Sequence, residues 1–206
     1  MRSHYRIILV ALLLSFFFFT GCTTKTSIRG TWKKIDYSGQ PLSSVMVVGV
    51  IENQSNRFRW ENGMATVLRE AGHKKVITSL NALPYYQDIE KDKKEIIEYV
   101  NSNSIDGVLV TRVVDVQQEE IIHPAQTHNN PYHYNFGNYY SYAGARTKSF
   151  TTTETNVLLE TNLYLVENQE LIWSFSSETT TSSSVGRLID SVSKKILAAL
   201  KKDRLI

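Results

Sequence analysis

Hydrophobic positions along this chain fall into two spacings, and the alternation between them predicts the elements. Val45 to Ile51 is apolar on both faces and rich in β-branched residues, the pattern of a central, covered strand. Asn53 and Ser55 then offer caps for a helix running to about Ala71, with Gly72 as its stop. Its buried stripe is expected to hold Phe58, Ala65, Leu68 and Ala71, with Met64 and Val67 beside it. Gly63 weakens that helix by about 1 kcal/mol relative to Ala. Lys75 to Ser79 reads as a short second strand. Asp88 to Asn101 reads as a second helix burying Ile89, Ile96, Ile97 and Val100, and Gly107 to Val116 as a third strand. Two strand–helix–strand passes favour parallel pairing with right-handed crossovers.

The second half changes period. Ser149 to Val166 places Val157, Leu159, Thr161, Leu163 and Leu165 on one face, and Trp173 and Phe175 alternate after the turn Glu167 to Glu170. That is an antiparallel hairpin with a buried side. Ser182, Ser183 and Ser184 can cap a last helix whose Val185, Leu188, Ile189, Val192, Ile196 and Leu200 follow helical spacing, with Lys201 and Lys202 at its negative end. The expected fold class is α/β (α+β). Its mixed sheet has about five strands and three helices in the order β-α-β-α-β-β-β-α. Val48, Leu163, Trp173 and Val192 are expected to be buried where sheet and last helix meet.

The start of the chain follows neither period. Arg2 and Arg6 precede an unbroken stretch of low polarity from Ile7 to Phe19, 13 residues, which suits a secretory signal and is short of the ~20 a spanning helix needs. Phe19-Thr20-Gly21-Cys22 then resembles the lipobox of bacterial lipoprotein precursors, with Phe19 where Leu is usual. The resemblance implies cleavage before Cys22 and a covalent diacylglycerol and N-acyl lipid on it, palmitate among the acyl groups. No other cofactor is expected. By the same resemblance Thr23, in place of the Asp of inner-membrane retention, implies the outer membrane with the domain facing the periplasm. Residues 22–44 read as lipidated N-terminus and tether, a coil that would reach ~25 Å on average. Trp32 and Tyr37 suggest that its middle touches the domain. Residues 45–206 then form a single α/β periplasmic domain.

Composition narrows the partners. Removing Arg2 and Arg6 leaves 21 of 23 basic residues against 20 acidic ones, so no basic face is forced and nucleic acid is not expected. Cys22 is the only cysteine, which excludes an internal disulfide and, once lipidated, a thiol nucleophile.

Chemistry is sparse. The insertion at 123–146 has no acidic residue and, up to Ala145, no basic one but histidine. It carries Tyr132, Tyr134, Phe136, Tyr139, Tyr140 and Tyr142, side chains suited to a partner-contact loop. His123, His128 and His133 are candidate metal ligands, since imidazole is a common one, but no carboxylate or thiolate lies among them. His73 reads as a helix-terminus residue. Arg57 and Glu61, four apart, read as an exposed ion pair of little worth, and Glu160 and Glu178 have no evident partner. Zinc-protease, nucleophile-elbow, phosphate-loop and dinucleotide signatures are missing, so no enzyme activity is expected. The function expected is a lipid-anchored binding or assembly component of the cell envelope, with a protein partner or itself. The alternative is a small-molecule or metal-binding lipoprotein using the His123–His133 loop.

Short motifs also resemble a family of small, largely uncharacterised Gram-negative lipoproteins. They are Trp32, Tyr37 to Pro41, the strand Val45 to Val50, Arg57 with Glu61, Asp106 to Arg112, Glu160 to Tyr164 and Leu171 to Ser174. The element order is more distantly similar to the periplasmic domains of the curli secretion channel lipoprotein and of lipoprotein activators of peptidoglycan synthases. Those resemblances imply binding or assembly.

Overall fold

A computed structural model describes residues 24–37, 39–85, 89–123, 150–182 and 184–206. The strands are β1 Lys25–Lys33, β2 Ser44–Val50, β3 Lys75–Thr78, β4 Gly107–His123, β5 Phe150–Leu165 and β6 Leu171–Thr181. The helices are α1 Gln54–Glu70, α2 Ile89–Ser102 and α3 Val185–Lys202. All six strands join one sheet in the order β1-β6-β5-β4-β2-β3. β2 runs parallel to β3 and β4, while the β4, β5, β6 and β1 pairings are antiparallel. The mixed α+β sheet is therefore as expected, with one strand more.

That extra strand corrects the tether. Lys25–Lys33, read as part of a coil, pairs antiparallel with β6. It is an edge strand and mostly exposed, so little apolar alternation marks it. Thr26 Oγ1 instead bonds Thr179 Oγ1 at 2.9 Å and Ser191 Oγ of α3 at 2.7 Å. β4 also runs seven residues past the expected end at Val116, to His123.

Helices cover both faces unequally. α1 and α3 pack on one face, where Val192 of α3 joins Val47, Leu109, Leu163 and Trp173 of the sheet in one core cluster. α2 covers the other face, where Val100 and Ile105 meet Met46 and Val48. Val48 is thus buried, but away from the last helix, because successive residues of β2 point to opposite layers. The remaining part of that second face is polar. Arg112 pairs with Glu160, Arg29 pairs with Glu178, and Thr180 bonds Asn156. Glu160 and Glu178 therefore have partners, which their sequence surroundings did not disclose.

Two glycines are dictated by geometry. Gly72 has φ +103°, its N–H bonds Arg69 O at 3.0 Å, and the N–H of His73 bonds Leu68 O at 3.2 Å. That closes α1 in a Schellman motif and makes His73 the helix-terminus residue expected. At Gly63 an added Cβ would lie 2.7 Å from Ile189 Cγ2. What it takes from helix propensity it returns as close approach of α1 to α3.

Candidate functional site

The carboxyl ends of parallel strands are where open α/β sheets commonly bind ligands. Here that place is filled from within. Glu61 on α1 accepts from Arg57 Nε at 3.0 Å, from the N–H of Gly49 at 3.0 Å and from Ser79 Oγ at 2.6 Å, all on Oε1. Its Oε2 accepts from the N–H of Leu80 at 3.2 Å. Arg57 Nη2 donates to Ser79 Oγ at 2.9 Å and to Leu83 O at 2.8 Å. Both charged side chains are 0% exposed, so the pair expected on the surface is a buried clamp joining α1, β2 and the turn after β3. Its neighbour Phe58, expected in the buried stripe, is 60% exposed instead.

Beside that clamp, between α1, α3 and the sheet, opens a pocket of about 280 Å³. Val116, Val157, Val185, Leu188 and Ile189 dominate its wall, with Trp60 at its α1 side. Trp60 is 2% exposed, and its indole N–H has no partner among the described residues. The wall holds four polar side chains, including Thr181, and no charged one. Nothing in it can transfer a proton near neutral pH or bind a metal. It can take an uncharged, apolar group.

A third feature rises from the same end of the sheet. β4 pairs with β2 only as far as Arg112, and β5 pairs with β6 only from Thr155 onward. Glu119–His123 and Phe150–Glu154 therefore pair with each other and with no further strand among the described residues. Among the described residues no third strand lies along either edge of this two-stranded arm, and strand edges of that kind are where another chain can pair. Ile122 on it is 67% exposed, and Val116 at its base 51%. Glu119 stands directly opposite Glu154, a like-charge pairing that weakens the arm.

Cys22, the six loop aromatics Tyr132, Tyr134, Phe136, Tyr139, Tyr140 and Tyr142, and His128 and His133 all lie outside the described residues. His123 is the last residue of β4 and pairs with Phe150. Among the described residues no group of three or more His, Cys, Asp or Glu side chains could hold a metal ion. No described helix is long and apolar enough to cross a membrane.

No protein-family model matches the sequence, and no curated protein sequence does. Similar solved structures include the PelC dodecamer from Paraburkholderia phytofirmans, at 16% identity over 86% of this chain and 97% of that one, with a TM-score of 0.49. Another is the lipoprotein GNA1162 from Neisseria meningitidis, at 14% identity over 77% of this chain and 98% of that one, with a TM-score of 0.44. Identity this low speaks to fold alone. With both TM-scores below 0.5, neither protein's assembly nor its location transfers to this chain.

Proposed function

We propose that the chain is a lipid-anchored component of the cell envelope that works by binding, with the lipid on Cys22 and the β4–β5 arm as its contact surface. The observation that carries the binding role is the arm itself. It is a long hairpin with no further strand on either edge among the described residues, and it exposes Ile121 and Ile122. Open strand edges beside apolar side chains are what a protein partner or a second copy can complete. The conspicuous charged pair of the parallel-strand crevice, Arg57 with Glu61, is engaged in holding the fold, which supports binding over catalysis.

The anchor reading rests on Phe19-Thr20-Gly21-Cys22 after a 13-residue stretch of low polarity. Outer-membrane placement rests on Thr23. The domain begins its strand pairing at Lys25, so the leash from Cys22 is only a few residues long and the domain would sit close against the bilayer. Metabolic labelling with a fatty-acid analogue tests this. Wild type is expected to label, Cys22→Ser to remain unlabelled, and Thr23→Asp to shift toward inner-membrane fractions on a density gradient. Equal labelling of wild type and Cys22→Ser would remove the anchor, and an unmoved Thr23→Asp would remove the sorting assignment.

A further inference from the structure

We propose that the apolar pocket between α1, α3 and the sheet receives one acyl chain of the lipid on Cys22. The inference rests on the lipid anchor proposed above and assigns that anchor a seat. Thr24 Oγ1 bonds Thr181 Oγ1 at 2.9 Å, and Thr181 is part of the pocket wall. Two residues of chain reach at most about 7 Å, so Cys22 cannot stray far from that wall. β1 is held in place by the bonds from Thr26 to Thr179 and Ser191, so the strand that leads from Cys22 starts beside the pocket.

The chemistry of the wall agrees with this occupant. It carries no ionisable side chain, and its rim residues Val116 and Val185 are 51% and 38% exposed. An apolar mouth open to water gains by being covered. At about 280 Å³, the pocket lies at the foot of the range for small-molecule sites, roughly 300–1,000 Å³. That is room for part of one chain, leaving the others for the bilayer. A second apolar groove, of about 300 Å³ and beside α2, includes Val166 and Gln169 at the opposite end of β6. An 11-residue strand separates it from Thr181, roughly 35 Å at ordinary strand rise. Proximity thus selects the first pocket.

The test uses the full lipidated chain in envelope membranes, with a benzophenone amino acid at Leu188, at Val116, or at Ile122 on the arm as control. Leu188 lies in the wall, and the half-exposed Val116 provides a position whose replacement leaves the core intact. After irradiation and digestion, the peptides from positions 188 and 116 are expected to carry the Cys22 lipopeptide several-fold more than the peptide from 122. Phospholipid adducts at all three positions would overturn the proposal in favour of simple membrane contact. Adducts to a peptide from 124–149 would overturn it in favour of the chain's own insertion. A digest holding lipidated Cys22 but no crosslink overturns the seat alone, whereas a digest with unlipidated Cys22 overturns the anchor as well.

Discussion

Arg57 and Glu61 show how much burial alters the meaning of a spacing. On an exposed helix, opposite charges four positions apart contribute a few tenths of a kcal/mol. Here both are fully enclosed, and each is held by backbone as well as by the other. The buried stripe of α1 is Arg57, Trp60, Glu61, Met64, Ala65 and Leu68. Two of its first three members are charged, so a search for apolar periodicity slides to Phe58 and loses the register of the first turn. A buried pair reveals itself in sequence only through its partners, and Gly49, Ser79 and Leu83 lie too far along the chain to be seen together. Arg57→Met is expected to lower stability in urea melts by about 3–5 kcal/mol, because it leaves Glu61 enclosed without its counter-charge. The double variant Arg57→Met with Glu61→Met should recover part of that loss. A single variant within about 0.5 kcal/mol of wild type would mean that the clamp is dispensable.

At the level of elements, what was legible is what buries apolar surface. α3, the β5–β6 hairpin, and the α1 stop at Gly72 followed from spacing and from one glycine. β1 did not, because an edge strand held by hydroxyls and paired to β6 needs little hydrophobic signal. The far half of β4 did not, because Gln117 to Glu120 is polar and the arm faces water on both sides. Asp106 belongs here, since it joins two strand starts. Its Oδ2 accepts from Ser43 N–H at 2.9 Å, Ser43 Oγ at 2.6 Å and Ser44 N–H at 3.0 Å. Partial burial works against its ionisation, and the donors on Ser43 and Ser44 outweigh it, holding the carboxyl below its ordinary value. A depressed folded pKa gives stability that is present above the unfolded value near 3.9 and lost as pH falls through the folded one. Solvent screens this exposed group, so Asp106→Asn should cost about 1 kcal/mol at pH 7. The gap to wild type should narrow in urea melts below about pH 4. A gap that stayed constant down to pH 2 would contradict this role.

Over the whole molecule, several features gather at one end of the sheet. The chain enters there through Thr24, the charge-free pocket opens there, and the arm leads from there into residues 124–149. The opposite end holds the short β5–β6 turn and the Asp106 junction. Such polarity was invisible in the linear sequence, because Thr24, Val116 and Thr181 meet only once β1 takes its place beside β6. It would put the proposed lipid and the proposed contact surface on a common side. The candidate loop chemistry from Tyr132 to Tyr142, and the ligand role suggested for His128 and His133, lie outside the described residues. Association through the arm is tested by Ile122→Asp. That side chain is 67% exposed, so the variant should fold with stability within about 0.5 kcal/mol of wild type. In vivo crosslinking of the envelope, read beside a urea melt of the purified lipidated chain, is expected to show a discrete complex for wild type and its loss for Ile122→Asp at an unchanged melting midpoint. An unaltered complex in the variant, or no complex in wild type, would rule out association through the arm.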